Sequence, residues 1–183
     1  MLDLPGLPYR MRRSADGEWL ATADTDGRVQ VWNTARGEVV APTVSGGKVT
    51  SIEFAPDSDH LVTMSWKSRE VLVHHWRTGK LVRTIGDLPG PILFCETAPD
   101  RRRHLVGGSR WAQVIDVVTG EILAGPVETA GDWQSGGWHP GGELVALGAV
   151  GSRVEFRWAT NLAPVGPVLQ DSHASQRPTF TPD

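Results

Sequence analysis

Apolar and polar residues alternate in short bursts along this chain, and each burst ends at a turn. Val49-Thr50-Ser51-Ile52-Glu53-Phe54 mixes the two kinds as a half-buried strand does. Ala55-Pro56-Asp57-Ser58-Asp59 interrupts it with turn chemistry: proline presets φ and aspartate bonds its own backbone. A more apolar run, Leu61-Val62-Thr63-Met64-Ser65, follows. Polar Lys67-Ser68-Arg69-Glu70 then leads into Val71-Leu72-Val73-His74. Thr78-Gly79 makes another hairpin turn before Leu81-Val82-Arg83-Thr84-Ile85, glycine supplying the positive φ that side chains resist. The pattern predicts four short antiparallel strands in a stretch of roughly forty residues.

That unit recurs. VQVWNTARG begins at Val29, VLVHHWRTG at Val71, AQVIDVVTG at Ala112 and VEFRWATNL at Val154, so the starts differ by 42 (71 − 29), 41 (112 − 71) and 42 (154 − 112). Turn strings ending at Gly17, Asp57, Asp100 and Gly142 precede them. A fixed period of this length means stacked supersecondary units. Within a strand Val29 and Val31 point one way and Gln30 and Trp32 the other, so a single sheet needs neighbours on both faces. Radial stacking of such sheets supplies them, whereas a β-helix has shorter repeats. The fold class expected is all-β, built from the four-stranded blades of a propeller.

The closest copy to a known pattern runs from Ser14-Ala15-Asp16-Gly17 through Val29-Gln30-Val31-Trp32-Asn33. It resembles the WD-repeat (WD40) family of β-propellers, and the likeness in register extends from about Pro8 to Gln170. At the family's tryptophan position stand Trp32, His74, Ile115 and Arg157; at its aspartate position stand Asn33, His75, Asp116 and Trp158. The resemblance implies a buried tetrad of which only the first copy offers three members, Thr22, Asp26 and Trp32. It implies blades over 8–45, 46–88, 89–129 and 130–170. Residues 171–183 would start a fifth, because Phe180-Thr181-Pro182-Asp183 repeats Phe54-Ala55-Pro56-Asp57 after 126 residues.

Propellers of this kind usually close with seven or eight blades. Two bare end faces would forgo on the order of 10 kcal/mol of apolar burial. The expectation is therefore a stretch of a longer propeller; two copies completing one ring, or a ring of four blades, are the alternatives.

Composition narrows the function classes. With 39% hydrophobic and 21% charged residues the chain is globular, and its net charge of −3 gives no reason to invoke nucleic acid. Cys95 is the single cysteine, which excludes an intrachain disulfide and a multi-cysteine zinc site. No apolar run is long enough for a signal peptide or a membrane span, so a cytoplasmic location is expected.

Candidate chemistry is sparse. Gly46-Gly47-Lys48-Val49-Thr50 lacks the residues and the strand–loop–helix context of a phosphate loop. Asp24-Thr25-Asp26-Gly27 runs into a strand rather than into further calcium ligands. His74 and His75 point to opposite faces, and His60 and His104 read as equivalent, solvated positions just after turns. Arg101-Arg102-Arg103 reads as a solvated hairpin tip, with a docking patch for an acidic partner as the alternative. No nucleophile–base–acid set, cofactor site or metal site is legible, so no enzyme activity is expected.

One feature repeats at the start of every third strand: Arg28, then Lys67 with Arg69, then Arg110, then Arg153, with Trp66 and Trp111 beside them. In a propeller these turns gather at one end, where the resembled family usually binds partners. The expected function is a non-catalytic protein–protein interaction scaffold for a protein or peptide partner, an acidic one suiting the basic turns. A propeller enzyme of lactonase-like or quinone-dependent type, and a peptide or small-ligand sensor at the basic end, are the alternatives.

Overall fold

The computed structural model describes residues 8–41, 44–45, 49–66, 68–151, 153–170, 178 and 180. The chain divides into two compact units, Met1–Asp87 and Leu88–Asp183. Every regular element among the described residues is a β-strand, and every pairing is antiparallel.

The first unit holds two sheets. One is β1 (Pro8–Arg13), β2 (Trp19–Asp24), β3 (Arg28–Asn33) and β4 (Glu38–Val39) in that order, with β5 (Val44–Ser45) also paired to β3. The expected fourth strand is thus two short pieces. The other sheet is β6 (Val49–Phe54), β7 (His60–Ser65), β8 (Val71–His75) and β9 (Lys80–Ile85). Ala21, Ala23, Val29 and Val31 of the first sheet share one apolar core with Ile52, Phe54, Leu61 and Trp76 of the second.

The second unit contains β10 (Phe94–Thr97), β11 (Arg103–Asp116), β12 (Ile122–Trp138), β13 (Leu144–Ala149), β14 (Arg153–Trp158) and β15 (Pro164–Gln170). An extended strand spans about 3.4 Å per residue, so the ends of β11 would stand roughly 44 Å apart if it were straight. Instead the Val117 N–H donates to the Arg102 carbonyl at 3.1 Å. β11 is therefore a hairpin, and Arg110, at φ 66°, marks its turn. β12 pairs β11 through its first half and β13 through its second. Two four-stranded sheets result, β10–β11–β12 and β12–β13–β14–β15. They share a core of Phe94, Leu105, Ala112, Val114, Trp133, Val145 and Leu147.

The four sheets are the four blades, and the backbone keeps their register. Ser14, Ala55, Ala98 and His139 each donate an N–H to the carbonyl five residues on, at 2.9, 2.9, 2.8 and 3.0 Å. Thr34, Trp76, Val117 and Ala159 donate to Glu18, Asp59, Arg102 and Glu143 at 2.9, 3.2, 3.1 and 2.8 Å. The latter donors are spaced 42, 41 and 42 apart (76 − 34, 117 − 76, 159 − 117), as the strand strings predict.

The same bonds correct one expectation. His60 and Arg103 occupy the equivalent position, each closing on its turn aspartate: His60 Nδ1 to Asp57 and Arg103 Nε to Asp100, both at 2.6 Å. His104 lies one residue further and matches Leu61. Since side chains alternate, that single step turns His104 from the solvated side into the interior, where it is fully buried.

Outer strands end each sheet, and all of them have blunted edges. β4 is two residues long, and β9 carries a register shift. The outer half of β12 contains Pro126 and several shifts, and β15 contains Pro164 and Pro167. Proline and bulges withhold the donors another strand would need.

Candidate functional site: the two ends of the blades

Within the first unit, β1 and β6 run side by side in the same direction: Arg10 Nε donates to the Thr50 carbonyl at 2.9 Å, and Arg12 pairs with Glu53. The β2–β3 and β7–β8 turns therefore lie at one end, and the β1–β2 and β6–β7 turns at the other. The two ends differ in chemistry.

At the second of these ends charge is used internally. Arg77 Nε binds Asp59 at 3.1 Å, and its guanidinium lies 4.2 Å from the Trp76 ring centre and 4.9 Å from Trp19. The two indoles stand 5.1 Å apart. Burial works against the charge of the Asp57 carboxylate, but bonds from His60 and from the Asp59 and His60 N–H groups hold its pKa below the ordinary value. The second unit repeats this device. Asp100 takes Arg103 and two backbone N–H groups, while Asp116 takes Arg102 Nε at 2.6 Å with the Val118 and Thr119 N–H groups. Both carboxyls titrate low because these bonds outweigh the opposing effect of burial. Arg102 and Arg103 thus tie down the triple-arginine turn.

At the other end lie the basic turns. Arg28 begins β3 and is exposed, Trp66 is 58% exposed, and Arg69 is exposed; Lys67 lies outside the described residues, as does Gly46-Gly47-Lys48. In the second unit Arg110 is exposed at the β11 turn, whereas Trp111 is buried at 5% against Gly90 and Gly108. Arg153 is held to Glu155 at 2.6 Å. Arg28 and Arg110 make no ion pair among the described residues. The turns also carry acids: Asp24 caps the first through the Asp26 and Arg28 N–H groups, and Asp26 and Glu70 are exposed. Arg28, Trp66 and Arg69 share one end of the first unit; Arg110 and Arg153 stand on the corresponding turns of the second.

The family pattern for "WD domain, G-beta repeat" matches residues 9–33, which cover β1, β2 and β3. The chain is thus similar to WD-repeat proteins through its first blade. An "uncharacterized WD repeat-containing protein" of Synechocystis sp. is 33% identical over 95 residues, which is 51% of this chain and 27% of that protein. The chain thus aligns with about a quarter of its relative's length.

In the WD repeat of residues 9–33 the Trp32 indole N–H donates to Thr22 Oγ1 at 3.0 Å, both side chains being buried. Asp26 stands apart from this pair, in the exposed turn closed by the Gly27 N–H on the Asp24 carbonyl at 3.1 Å. At the corresponding WD position of the second blade, His74 is 6% exposed, its Nδ1 has no hydrogen-bond partner among the described residues, and burial lowers its pKa. In the third blade the buried His104 ring meets Cys95 Sγ through Nδ1 at 3.5 Å. Burial pushes its pKa down to about 4, against weaker opposing effects from the Arg101 carbonyl and the Asp100 charge. Among the described residues no group of three or more His, Cys, Asp or Glu side chains could hold a metal ion. They include no helix long and apolar enough to cross a membrane.

Sequence reading placed Arg157 at the family's tryptophan position but missed its pairing with Glu155; with Arg153 the two form a charged row on alternate residues of β14. The signal was present as Arg-x-Glu-x-Arg, a spacing that puts all three on one face of a strand.

Proposed function

We propose that this chain is a non-catalytic scaffold whose WD-like blades hold a protein partner at the basic turn end of a unit, the one carrying Arg28, Trp66 and Arg69 in the first unit and the one carrying Arg110 and Arg153 in the second. What carries the reading is the contrast between the two ends of the blades. In each unit one end pairs its charges internally, through Arg77 with Asp59 in the first and through Arg102 with Asp116 and Arg103 with Asp100 in the second. The other leaves an indole 58% exposed and two arginines without ion pairs among the described residues. An exposed tryptophan bordered by arginine has the composition of an interface hot spot. Asp24, Asp26 and Glu70 share these turns, so the partner presents an apolar pocket for Trp66 with charges of both signs around it.

Site-specific photo-cross-linking tests this in the natural full-length protein. A photoreactive residue at Trp66 is expected to give discrete heavier adducts, and one at Thr34, on the opposite end of its unit, none. Equal labelling from both sites, or from neither, would refute the assignment.

A further inference from the structure

His60 and His75 face each other across β7 and β8 in the second blade. One step along the same ladder, the Trp76 N–H donates to the Asp59 carbonyl at 3.2 Å, so Asp59 and Trp76 form the hydrogen-bonded type of antiparallel pair. Pair types alternate, which makes His60 and His75 the other type, with Cα atoms about 4.5 Å apart and side chains in closest reach. Their rings meet with centres 5.5 Å apart and planes at 86°. Both residues are part-exposed, the His60 side chain at 28%, so ions in solvent reach them at the turn end that carries Asp57 and Asp59.

Hydrogen bonds fix which nitrogen of each ring keeps its lone pair. Asp57 Oδ2 stands 2.6 Å from His60 Nδ1, and a carboxylate only accepts, so Nδ1 carries the proton. Thr78 Oγ1 stands 3.2 Å from His75 Nδ1. That hydroxyl gives its own hydrogen to the His75 carbonyl at 3.3 Å, so toward Nδ1 it accepts. In both neutral rings Nε2 is therefore the lone-pair nitrogen. Histidines that bind metal are arranged this way, one nitrogen on the ion and the other donating to an oxygen that fixes tautomer and orientation. The ring separation suits a shared ion. With a nitrogen about 1.2 Å from its ring centre and a metal–nitrogen bond of about 2.0–2.1 Å, an ion lies about 3.2 Å from each centre, and a tetrahedral angle puts the centres about 5.3 Å apart. The observed 5.5 Å matches. Each planar ring turns freely about its own nitrogen–metal axis, so perpendicular planes are no obstacle.

We propose that His60 and His75 form a two-point site for a divalent transition ion that prefers imidazole, zinc or copper(II), held between the two Nε2 atoms. Nitrogen ligands select against calcium and magnesium, which take oxygen. Among the described residues no third His, Cys, Asp or Glu completes the set, so the remaining positions belong to water and the ion is held reversibly. Asp57 places a negative charge behind His60. Lys80 stands opposite His75 on β9 and opposes the cation, weakly because it is exposed. Asp59 is engaged by Arg77. The ion would clip β7 to β8 at the end of the blade away from Trp66, so the site does not depend on the scaffold reading.

Calorimetric titration of zinc sulfate into the natural full-length protein at pH 7 tests the site, with magnesium chloride as the control. The event is read as the difference between the parent and the double variant His60→Gln/His75→Gln, which removes any contribution from elsewhere in the protein. One zinc ion with a Kd of about 10–100 µM is expected, and no difference with magnesium. Either single glutamine variant should weaken binding at least tenfold, because one imidazole then holds the ion alone. Asp57→Asn should weaken it several-fold by loosening the His60 ring, and Lys80→Gln should tighten it about two- to threefold. No difference up to about 1 mM zinc, loss in only one of the two single variants, or an equal response to magnesium would overturn the site. If the glutamine variants unfold, as circular dichroism would show, imidazole ¹H–¹⁵N correlation spectra of the parent decide the matter. Two rings in the Nδ1–H form should shift together at Nε2 on adding zinc; a shift of one ring alone, or none, would overturn the site.

Discussion

His104 should make this protein acid-sensitive well above the range of its carboxylates. The ring is fully buried, its Nε2 has no hydrogen-bond partner among the described residues, and burial lowers its pKa from 6.5 to about 4. The folded state therefore keeps it neutral while the unfolded chain takes up a proton below pH 6.5. Stability from this group is complete above pH 6.5 and falls as pH drops from there toward 4. Linkage between those two pKa values gives a loss of about 2 kcal/mol between pH 7 and pH 5. Replacing His104 by Leu, the residue at the matching position 61, removes the titrating group and keeps an apolar filler. Urea unfolding of both proteins at pH 7 and pH 5 measures the effect. The His104→Leu variant should lose about 2 kcal/mol less than the parent over that interval, because His74 and the carboxylates contribute to both alike. Equal losses would show that the folded state protonates the ring as readily as the unfolded chain does, and would refute the reasoning.

Other consequences are open to equally direct tests. Trp32→Phe should destabilise by about 1–2 kcal/mol by deleting the buried bond to Thr22; in a Thr22→Val background its effect should shrink, and an unchanged effect would mean the bond contributes nothing. Arg110→Gly should stabilise by about 0.5–1 kcal/mol, since the left-handed backbone costs an L-residue about 1–2 kcal/mol and the entropy glycine adds to the unfolded chain, about 0.4–1 kcal/mol, offsets part of the gain; a lower melting temperature would contradict this. Replacing both Pro164 and Pro167 by valine should turn β15 into an open edge. A concentration-dependent rise in mass by light scattering is expected, and a mass identical to the parent's would show that the prolines do not guard the edge.

Much of the architecture was legible because it is local and repeated. Alternation, turn residues and glycine positions recur at 42, 41 and 42 residues, and the hydrogen bonds at Thr34, Trp76, Val117 and Ala159 keep that spacing. The error at His104 shows the limit of such reading. His60 and His104 each follow a turn aspartate, but at three and four residues, and one residue decides which face a strand side chain meets. A likeness judged by eye along the sequence does not resolve that step; the bond closing each turn does.

The chain's pattern alone determined the fold class, the repeat length, the positions of the turns and the WD likeness, since strand periodicity and turn chemistry act over a few neighbouring residues. Only the tertiary structure decided which of the charged and aromatic residues are engaged. Arg102 and Arg103 are ion-paired, while Arg28 and Arg110 make no ion pair among the described residues. Trp66 is exposed while Trp111 is buried, although both stand beside basic turns. Trp133 and Arg153, twenty residues apart, become neighbours on one rung because β12 and β14 flank β13. Burial and pairing depend on what lies across the sheet and on the facing blade, and residues that meet there are distant in the chain.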